Sequence, residues 1–386
     1  MSGGPVLFLI AGEPSGDLLG ARLMAALRRI GPPGLRFEGI GGERMMAEGL
    51  QPLFPQKELS LFGAVELLRH IPRVLRRIRE TAAAVERTRP VALVSIDVPG
   101  FSFRVAKRLK GKGIPLIHYV APTVWAYRPR RAEEVARFLD HLMVLLPFEP
   151  PYFTRHGLGC SFVGHSIIES PVAAGDGARY RRRHKVAADA PLLTVLLGSR
   201  EGEVTRLGPI FGATIRLLKA RYPGLVCAVP TVPQVADQVR AIVREWPVPV
   251  TVTLGDAEKY DAFKASQAAL ACSGTVALEL ALARLPAVVA YRLSQISVLF
   301  YRWFIKVKFA NLVNVMHDRM VVPELLQENC RADRLAAAVE ALLGDEAARA
   351  AQIAELDQVA LWLGQGDVPP SERAARTVLR QAGLTA

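Results

Sequence analysis

A short run of small and hydroxyl-bearing residues, Ser273-Gly274-Thr275, stands between an apolar stretch and a stretch with helical spacing. Residues 267–271 are typical of a short buried strand, and residues 276–283 are typical of a helix. The start of a helix offers free backbone N–H groups to an anion, and glycine lets a phosphate approach the backbone closely. One helical turn further on, the Glu279 carboxylate could accept hydrogen bonds from a ribose. The run therefore predicts a nucleotide site, while the plainer interpretation is a helix cap followed by a surface glutamate.

Acidic side chains follow two predicted strands in the first half of the chain. Glu13 and Asp17 lie in the turn after the first strand, and Asp97 follows the apolar strand 90–96. A carboxylate outside the carboxyl end of a parallel strand is well placed to act as a general base. The first turn lacks the G-x-G-x-x-G pattern, and its acids suit sugar hydroxyls better than phosphate. The alternative is structural, because Ser15, Asp17 or Asp97 could cap the helix that follows it.

Strands and helices alternate along both halves of the chain, which predicts parallel sheets. In the second half, the strand 192–197 leads into the turn Gly198-Ser199-Arg200, whose guanidinium could bind a phosphate or reach a base. At 386 residues the chain exceeds one ordinary core, and a change to small and basic residues over 169–183 predicts the crossing between two domains. We expect two doubly wound sheets whose carboxyl ends face each other across a cleft.

The composition limits the classes of partner. The formal net charge of +13 at pH 7 predicts an anionic partner. Only Tyr180 interrupts the basic run 179–185, which disfavours a nucleic-acid arm with stacking aromatic residues. No stretch reaches the ~18 apolar residues of a spanning helix, and residues 1–10 have no basic segment ahead of the first strand. Four widely separated cysteines predict free thiols and no metal, so we expect a cytoplasmic protein.

Two segments combine apolar and basic residues in a way that suits the interface of an anionic membrane. Residues 59–80 place apolar residues at helical spacing beside five arginines, and residues 296–309 crowd aromatic residues beside Arg302, Lys306 and Lys308. Pro72 predicts a break into two short helices. The alternatives are an ordinary core-facing helix for the first segment and a buried interdomain helix for the second.

Nine short stretches in a fixed order resemble the lipid-A-disaccharide synthases, a family of glycosyltransferases, over nearly the whole chain. They are AGEPSGDLLG at 11–20, GIGG at 39–42, IDVP at 96–99, VAPTVWA at 120–126, PFE at 147–149, FVGH at 162–165, GSR at 198–200, SGT at 273–275 and VPELLQ at 322–327. The resemblance implies an α/β fold of the GT-B type, with two facing Rossmann-like doubly wound domains. It implies an acceptor- and membrane-facing domain at 1–170, a UDP-sugar domain at 171–345, and C-terminal helices at 346–386 that pack back on the first.

The resemblance also implies a reaction. The 6-hydroxyl of 2,3-diacylglucosamine 1-phosphate attacks the anomeric carbon of UDP-2,3-diacylglucosamine, giving a β-1,6-linked disaccharide and UDP with inversion. Such chemistry needs a base on the hydroxyl and stabilisation of the departing diphosphate.

Family motifs suggest a role for each candidate residue. Asp97 is cast as the base, with Glu13 or Asp17 as alternatives. No metal or other cofactor is implied. The implied substrate-binding residues are Ser15, Gly198, Ser199, Arg200, Ser273, Gly274 and Thr275, with Glu279 on the ribose and Asn314, Glu324 and Gln327 on the donor side.

The sequence departs from the family pattern at three places. Gly100, Phe101 and Ser102 stand where the family usually has Asp, often followed by Phe-Asn, and Leu197 and Val313 stand where proline is usual. The expected partners are a UDP-sugar donor, an acylated sugar phosphate acceptor and the cytoplasmic face of the inner membrane, without nucleic acid and with a homodimer left open. The alternatives are another UDP-sugar enzyme of the GT-B type, such as a soluble glycosyltransferase or a sugar 2-epimerase, and a non-catalytic membrane scaffold.

Overall fold

The structure is a computed structural model that describes residues 4–60, 67–293 and 308–384. Its contacts divide the chain into two units. The first comprises Met1–Ile168 with Trp362–Ala386, and the second comprises Glu169–Leu361. Each unit has its own sheet and its own buried core.

The first unit is built on a parallel sheet of seven strands in the order β3-β2-β1-β4-β5-β6-β7. The strands are β1 Val6–Ala11, β2 Arg36–Ile40, β3 Leu50–Pro52, β4 Ala92–Ile96, β5 Leu116–Tyr119, β6 His141–Val144 and β7 Gly159–Phe162. Its helices are α1 Pro14–Ile30, α2 Glu43–Ala47, α3 Lys57–Ser60, α4 Leu67–Thr88, α5 Pro99–Leu109, α6 Arg131–Ala136 and α7 Pro150–Thr154.

The second unit contains a parallel sheet of six strands in the order β10-β9-β8-β11-β12-β13. The strands are β8 Leu192–Leu196, β9 Val226–Thr231, β10 Val250–Leu254, β11 Ala268–Cys272, β12 Ala287–Tyr291 and β13 Glu324–Leu326. In the described residues the further α-helices are α8 Gly177–Arg183, α9 Glu201–Arg221, α10 Ala236–Val243, α11 Asp256–Ala265, α12 Val276–Leu282, α13 Leu312–His317, α14 Ala332–Gly344, α15 Glu346–Trp362 and α16 Pro370–Gln381.

The central strands form where the sequence has continuous apolar runs. Every residue of β1, β4, β8 and β11 is buried, as expected for parallel strands covered by helices on both faces. In each sheet, successive strands are added first on one side of the first strand and then on the other. This switch point lies between β1 and β4 in the first unit and between β8 and β11 in the second. In open α/β sheets, ligands bind outside the carboxyl ends of the strands at this switch point. The fold therefore has two positions suited to a ligand.

The C-terminal segment is shared between the two units. Helix α16 packs on α1, where Val378 and Leu379 join the core that contains Leu23 and Leu27. Helix α15 instead groups with the second unit, because the Gln352 side chain bonds the backbone of Ala287 on β12. The whole segment 346–386 was expected to pack on the first domain, whereas only Trp362–Ala386 groups with the first unit.

One expectation and one alternative about local helix structure are wrong. Pro72 does not divide the segment into two short helices within the described residues, since α4 continues from Leu67 to Thr88 and contains this proline. Neither Ser15 nor Asp17 caps α1, because that helix begins at Pro14 and its N-cap is Glu13. Proline has a fixed φ suited to the first helical turn, which explains the earlier start.

Candidate active site

A cavity of about 510 Å³ lies at the switch point of the second sheet. Loops after β8, β9, β10 and β11 form its walls. Among the predicted residues it is lined by Gly198, Ser199, Arg200, Ser273, Gly274, Thr275 and Glu279. Two turns that are 75 positions apart in the sequence are thus brought together, because β8 and β11 are paired neighbours in the sheet.

The Ser273-Gly274-Thr275 turn presents unused hydrogen-bond donors to this cavity. Ser273 N–H donates to the Ala290 carbonyl at 2.9 Å, while within the described part of the chain the Gly274 and Thr275 N–H groups bond no protein acceptor. A Cβ added at Gly274 would meet no atom within 4 Å, so the space above this residue is open. Because the following helix α12 has only seven residues, these amides rather than its dipole are the main attraction for an anion.

The turn after β8 is held by a glutamate that sequence reasoning missed. Glu203 is buried, and its Oε2 accepts from the N–H groups of Ser199 at 3.1 Å and Arg200 at 3.3 Å. Gly198 has φ +108°, and a Cβ there would lie 2.6 Å from the same carboxylate. Glu203 therefore engages the amides of this turn, and its Oε1 also pairs with Arg200 Nη1 at 3.2 Å. The Arg200 side chain is 80% exposed and lines the cavity. An acidic residue three positions after the N-cap is the capping-box signal that could have identified Glu203.

On another wall of the cavity, the Glu279 carboxylate is bonded by a lysine. Lys259 Nζ lies 3.0 Å from Glu279 Oε1 and 2.8 Å from Asp256 Oδ1. Burial disfavours the ammonium, but the two carboxylates outweigh it and raise the pKa of Lys259. Lys259 was also missed, because no local pattern links it to a glutamate 20 positions away. Among the described residues, no group of three or more His, Cys, Asp or Glu side chains is arranged to hold a metal ion.

In the first unit, Asp97 follows β4 directly at the switch point. Asp97 and Val98 have φ of +54° and +46°, a region that side-chain-bearing residues and above all β-branched ones avoid. Asp97 Oδ1 accepts from the Val98 N–H at 2.8 Å, and the residue is half-buried. Strained backbone of this kind clusters at functional sites. A Cβ added at Gly12, in the turn after β1, would touch Val98 at 3.0 Å, so the two strand ends are in contact.

The other candidates in the first turn differ in their surroundings. Glu13 and Ser15 are exposed at the start of α1. Asp17 is buried, and its carboxylate accepts from the N–H groups of Gly42 at 2.8 Å and of Arg44 and Met45 at 3.1 Å each. Asp17 therefore caps α2, and three backbone donors engage its oxygens.

A buried carboxyl group near the same edge of the first sheet was not assigned a role from the sequence. Glu149 accepts from the N–H groups of Leu145 at 3.2 Å and Leu146 at 3.0 Å, and from Trp125 Nε1 at 3.3 Å. It joins the loops after β5 and β6. Burial raises the pKa of Glu149 to about 7, against the opposing effect of these three donors. The stretch PFE at 147–149 contributed to the family resemblance, but it did not predict the contact with Trp125.

The three late residues, Asn314, Glu324 and Gln327, are not among the described residues that line the cavity. Asn314 and Glu324 are buried, and Glu324 accepts from the N–H groups of Ala310 at 2.7 Å and Asn311 at 2.8 Å. Gln327 accepts from the Leu293 N–H at 3.3 Å. These side chains therefore support the chain on both sides of residues 294–307, which lie outside the described residues.

The two basic, apolar segments are described only in part. In 59–80 the structure omits 61–66, and nearly all of 296–309 lies outside the described residues. Along α4, Ile71 and Leu75 are exposed beside Arg76 and Arg79. Arg73 and Arg77 are not free cations, because both bond Glu58, and Arg77 together with Arg73 lowers the pKa of that carboxyl despite its desolvation.

Comparison with known proteins identifies relatives across the whole chain. A family model described as Lipid-A-disaccharide synthetase matches residues 7–377. The lipid-A-disaccharide synthase of Rhodospirillum centenum is 60% identical over 376 residues, covering 97% of this chain and 94% of that protein. The synthase of Paramagnetospirillum magneticum is 52% identical and covers 97% of both chains.

Solved structures with the same fold are much more distant in sequence. The co-structure of Staphylococcus aureus MnaA with UDP matches with a TM-score of 0.65 at 15% identity, covering 99% of this chain and 98% of that one. The glycosyltransferase of kitacinnamycin also matches with a TM-score of 0.65 at 15% identity, covering 98% of this chain and 99% of that one. At these identities the likeness concerns the fold alone, and it confirms the expected GT-B class.

Proposed function

The chain belongs to the lipid-A-disaccharide synthase family of glycosyltransferases, and from this we propose how its two sheets divide the reaction. The activity is the joining of UDP-2,3-diacylglucosamine to 2,3-diacylglucosamine 1-phosphate by a β-1,6 bond, with release of UDP. Identity of 60% to a synthase, against 12% and 14% to two structures of sugar 2-epimerases, favours this activity over the alternative.

We propose that the cavity of the second sheet binds the UDP part of the donor. The observation that carries this assignment is the pair of unused N–H groups at Gly274 and Thr275, under open space and on the same cavity as Arg200. Diphosphate needs N–H donors and a cation, and the leaving group acquires charge as its bond to the sugar breaks. Arg200 and the turn amides would stabilise that charge.

We propose Asp97 as the general base that accepts the proton of the attacking 6-hydroxyl. Its support is its place outside β4 at the switch point and the strained backbone that holds it there. Asp17 is a weaker candidate, because backbone donors already engage its carboxylate. Glu13 is exposed in the adjacent turn and remains the alternative base, and Ser15 beside it is proposed to contact substrate.

We also propose that the protein works at the cytoplasmic face of the inner membrane, where both acylated substrates reside. No helix of the described residues is long and apolar enough to cross a membrane. The exposed Ile71 and Leu75 beside Arg76 and Arg79 support contact with an anionic surface. Such a contact would bring the first unit to lipid-embedded acceptor.

The test is UDP release by the purified protein in mixed detergent micelles. We expect UDP to appear only when both acylated sugars are supplied, together with a disaccharide detectable by mass spectrometry. Release that does not depend on the acceptor, or interconversion of UDP-sugar epimers, would contradict the proposed function.

A further inference from the structure

One wall of the cavity in the second unit carries a charged cluster around Glu279. The two oxygens of its carboxylate differ in the number of hydrogen bonds that they accept. Lys259 Nζ bonds Glu279 Oε1 at 3.0 Å, and the Tyr260 hydroxyl donates to the same oxygen at 3.3 Å. Side-chain exposure is 20% for Lys259 and 16% for Glu279, so this pair is largely shielded from solvent. Within the described part of the chain, Glu279 Oε2 accepts no hydrogen bond from the protein.

The arrangement fixes the orientation of the Glu279 carboxylate. Two donors on Oε1 restrain the side chain, which leaves Oε2 to accept from a ligand in the cavity. A carboxylate oxygen attracts hydroxyl groups and repels phosphate. Glu279 also lies one helical turn beyond Thr275, and residues at this spacing are about 6 Å apart at Cβ. That separation suits a ribose whose phosphates are held at the Ser273-Gly274-Thr275 turn.

We propose that Lys259 is a positioning residue that holds Glu279 for the hydroxyl groups of the donor ribose, with Tyr260 as its partner. The proposal rests on the function proposed above and adds a residue to its nucleotide site. Lys259 acts through Glu279 rather than by touching the nucleotide. Asp256, which is more exposed, also pairs with the Lys259 ammonium, at 2.8 Å.

The test compares the dissociation constants of UDP, UMP and 2′,3′-dideoxy-UDP for wild type and Lys259→Met. Wild type should prefer UDP over the dideoxy nucleotide about tenfold, the value expected for a hydrogen bond to a charged group. In Lys259→Met this preference should fall below about threefold, while dideoxy-UDP binds as it does to wild type. Lys264→Met is the matched control, because Lys264 lies on the same helix, is exposed and is not part of the cavity lining.

The other outcomes are distinguishable. Equal weakening of UDP and dideoxy-UDP, or loss confined to UDP while UMP binds normally, would overturn the proposal and indicate a role in folding or on the diphosphate. An unchanged preference would overturn it as well. If Lys259→Met does not fold, Tyr260→Phe removes one donor to Oε1 and should reduce the same preference about twofold, and no reduction would contradict the proposal. Absence of UDP binding by wild type would instead refute the proposed nucleotide site itself.

Discussion

Single residues shape the cavity of the second unit through the space that they leave open. Gly274 has no neighbour above its Cα, so the folded protein alone does not require glycine at this position. Gly198 differs, because its φ of +108° and the close Glu203 carboxylate demand glycine whether or not a ligand binds. Glycine at 198 thus serves the fold, whereas glycine at 274 serves the ligand if the proposed UDP site is right.

Gly274→Ala should therefore weaken UDP binding about tenfold while leaving the melting temperature nearly unchanged. The added methyl group fits the empty fold but blocks close approach of phosphate to the N–H groups, which removes a charge-assisted hydrogen bond. Calorimetric titration with UDP measures the effect. Gly224→Ala is the control, since its Cβ would make one ordinary contact, at 3.7 Å to Pro191. Unchanged UDP affinity in Gly274→Ala would move the diphosphate elsewhere.

Glu149 should give the protein a pH-dependent stability. Its pKa in the folded protein is about 7 against an ordinary 4.5, so the folded state binds the proton more tightly than the unfolded chain. Stability contributed by the protonated form is then lost as pH rises from about 4.5 to about 7, by about 3 kcal/mol at most. The side chain in Glu149→Gln is neutral at every pH. Between pH 5 and pH 8 the unfolding free energy of wild type should therefore fall relative to that of the variant. Parallel curves from urea unfolding would contradict this assignment.

At the scale of elements, α4 combines packing with an exposed apolar and basic face. Ile78 is buried and Arg77 bonds Glu58, while Ile71, Leu75 and Arg76 point to solvent. The sequence pattern placed five arginines beside the apolar residues and did not distinguish among them. In the structure, Arg73 and Arg77 are paired with Glu58 in α3, whereas Arg76 is exposed.

Leu75→Ser combined with Arg76→Glu should reduce binding to vesicles that contain phosphatidylglycerol by about tenfold or more. Each basic residue near an anionic surface contributes about 1 kcal/mol to binding. Arg76→Glu loses this attraction and adds a repulsion of similar size. Flotation of the protein with the vesicles provides the measurement. Arg108→Glu in α5 makes the same charge change at another exposed position of the first unit. A similar loss in both variants would indicate general electrostatics instead of a specific face.

The central strands and the residues at their ends could be predicted from the sequence, because continuous apolar runs indicate buried parallel strands and ligands bind outside the carboxyl ends of such strands. Edge strands β3, β7 and β13 were not predicted, since they are short and only partly buried and so lack the continuous apolar run of the central strands. Glu203 and Lys259 were missed for another reason. Lys259 acquires its role only when helix α11 is packed beside α12, which no local spacing shows.

At the scale of the whole molecule, two doubly wound sheets each offer one switch point. Asp97 lies at the first, and the turns with Arg200 and Gly274 lie at the second. We thus propose proton transfer for the first unit and diphosphate binding for the second. If this division holds, loss of the base should leave nucleotide affinity intact, since the two functions belong to different sheets.

The most direct test measures UDP release and UDP affinity side by side for wild type, Asp97→Asn, Glu13→Gln and Asp17→Asn, with both acylated sugars in mixed micelles. We predict that Asp97→Asn loses about 100-fold or more in kcat, the scale of general-base catalysis, while its Kd for UDP stays within about twofold of wild type. The other two variants should keep most of their turnover. Near-normal turnover by Asp97→Asn, with loss in Glu13→Gln or Asp17→Asn, would contradict the assignment of the base.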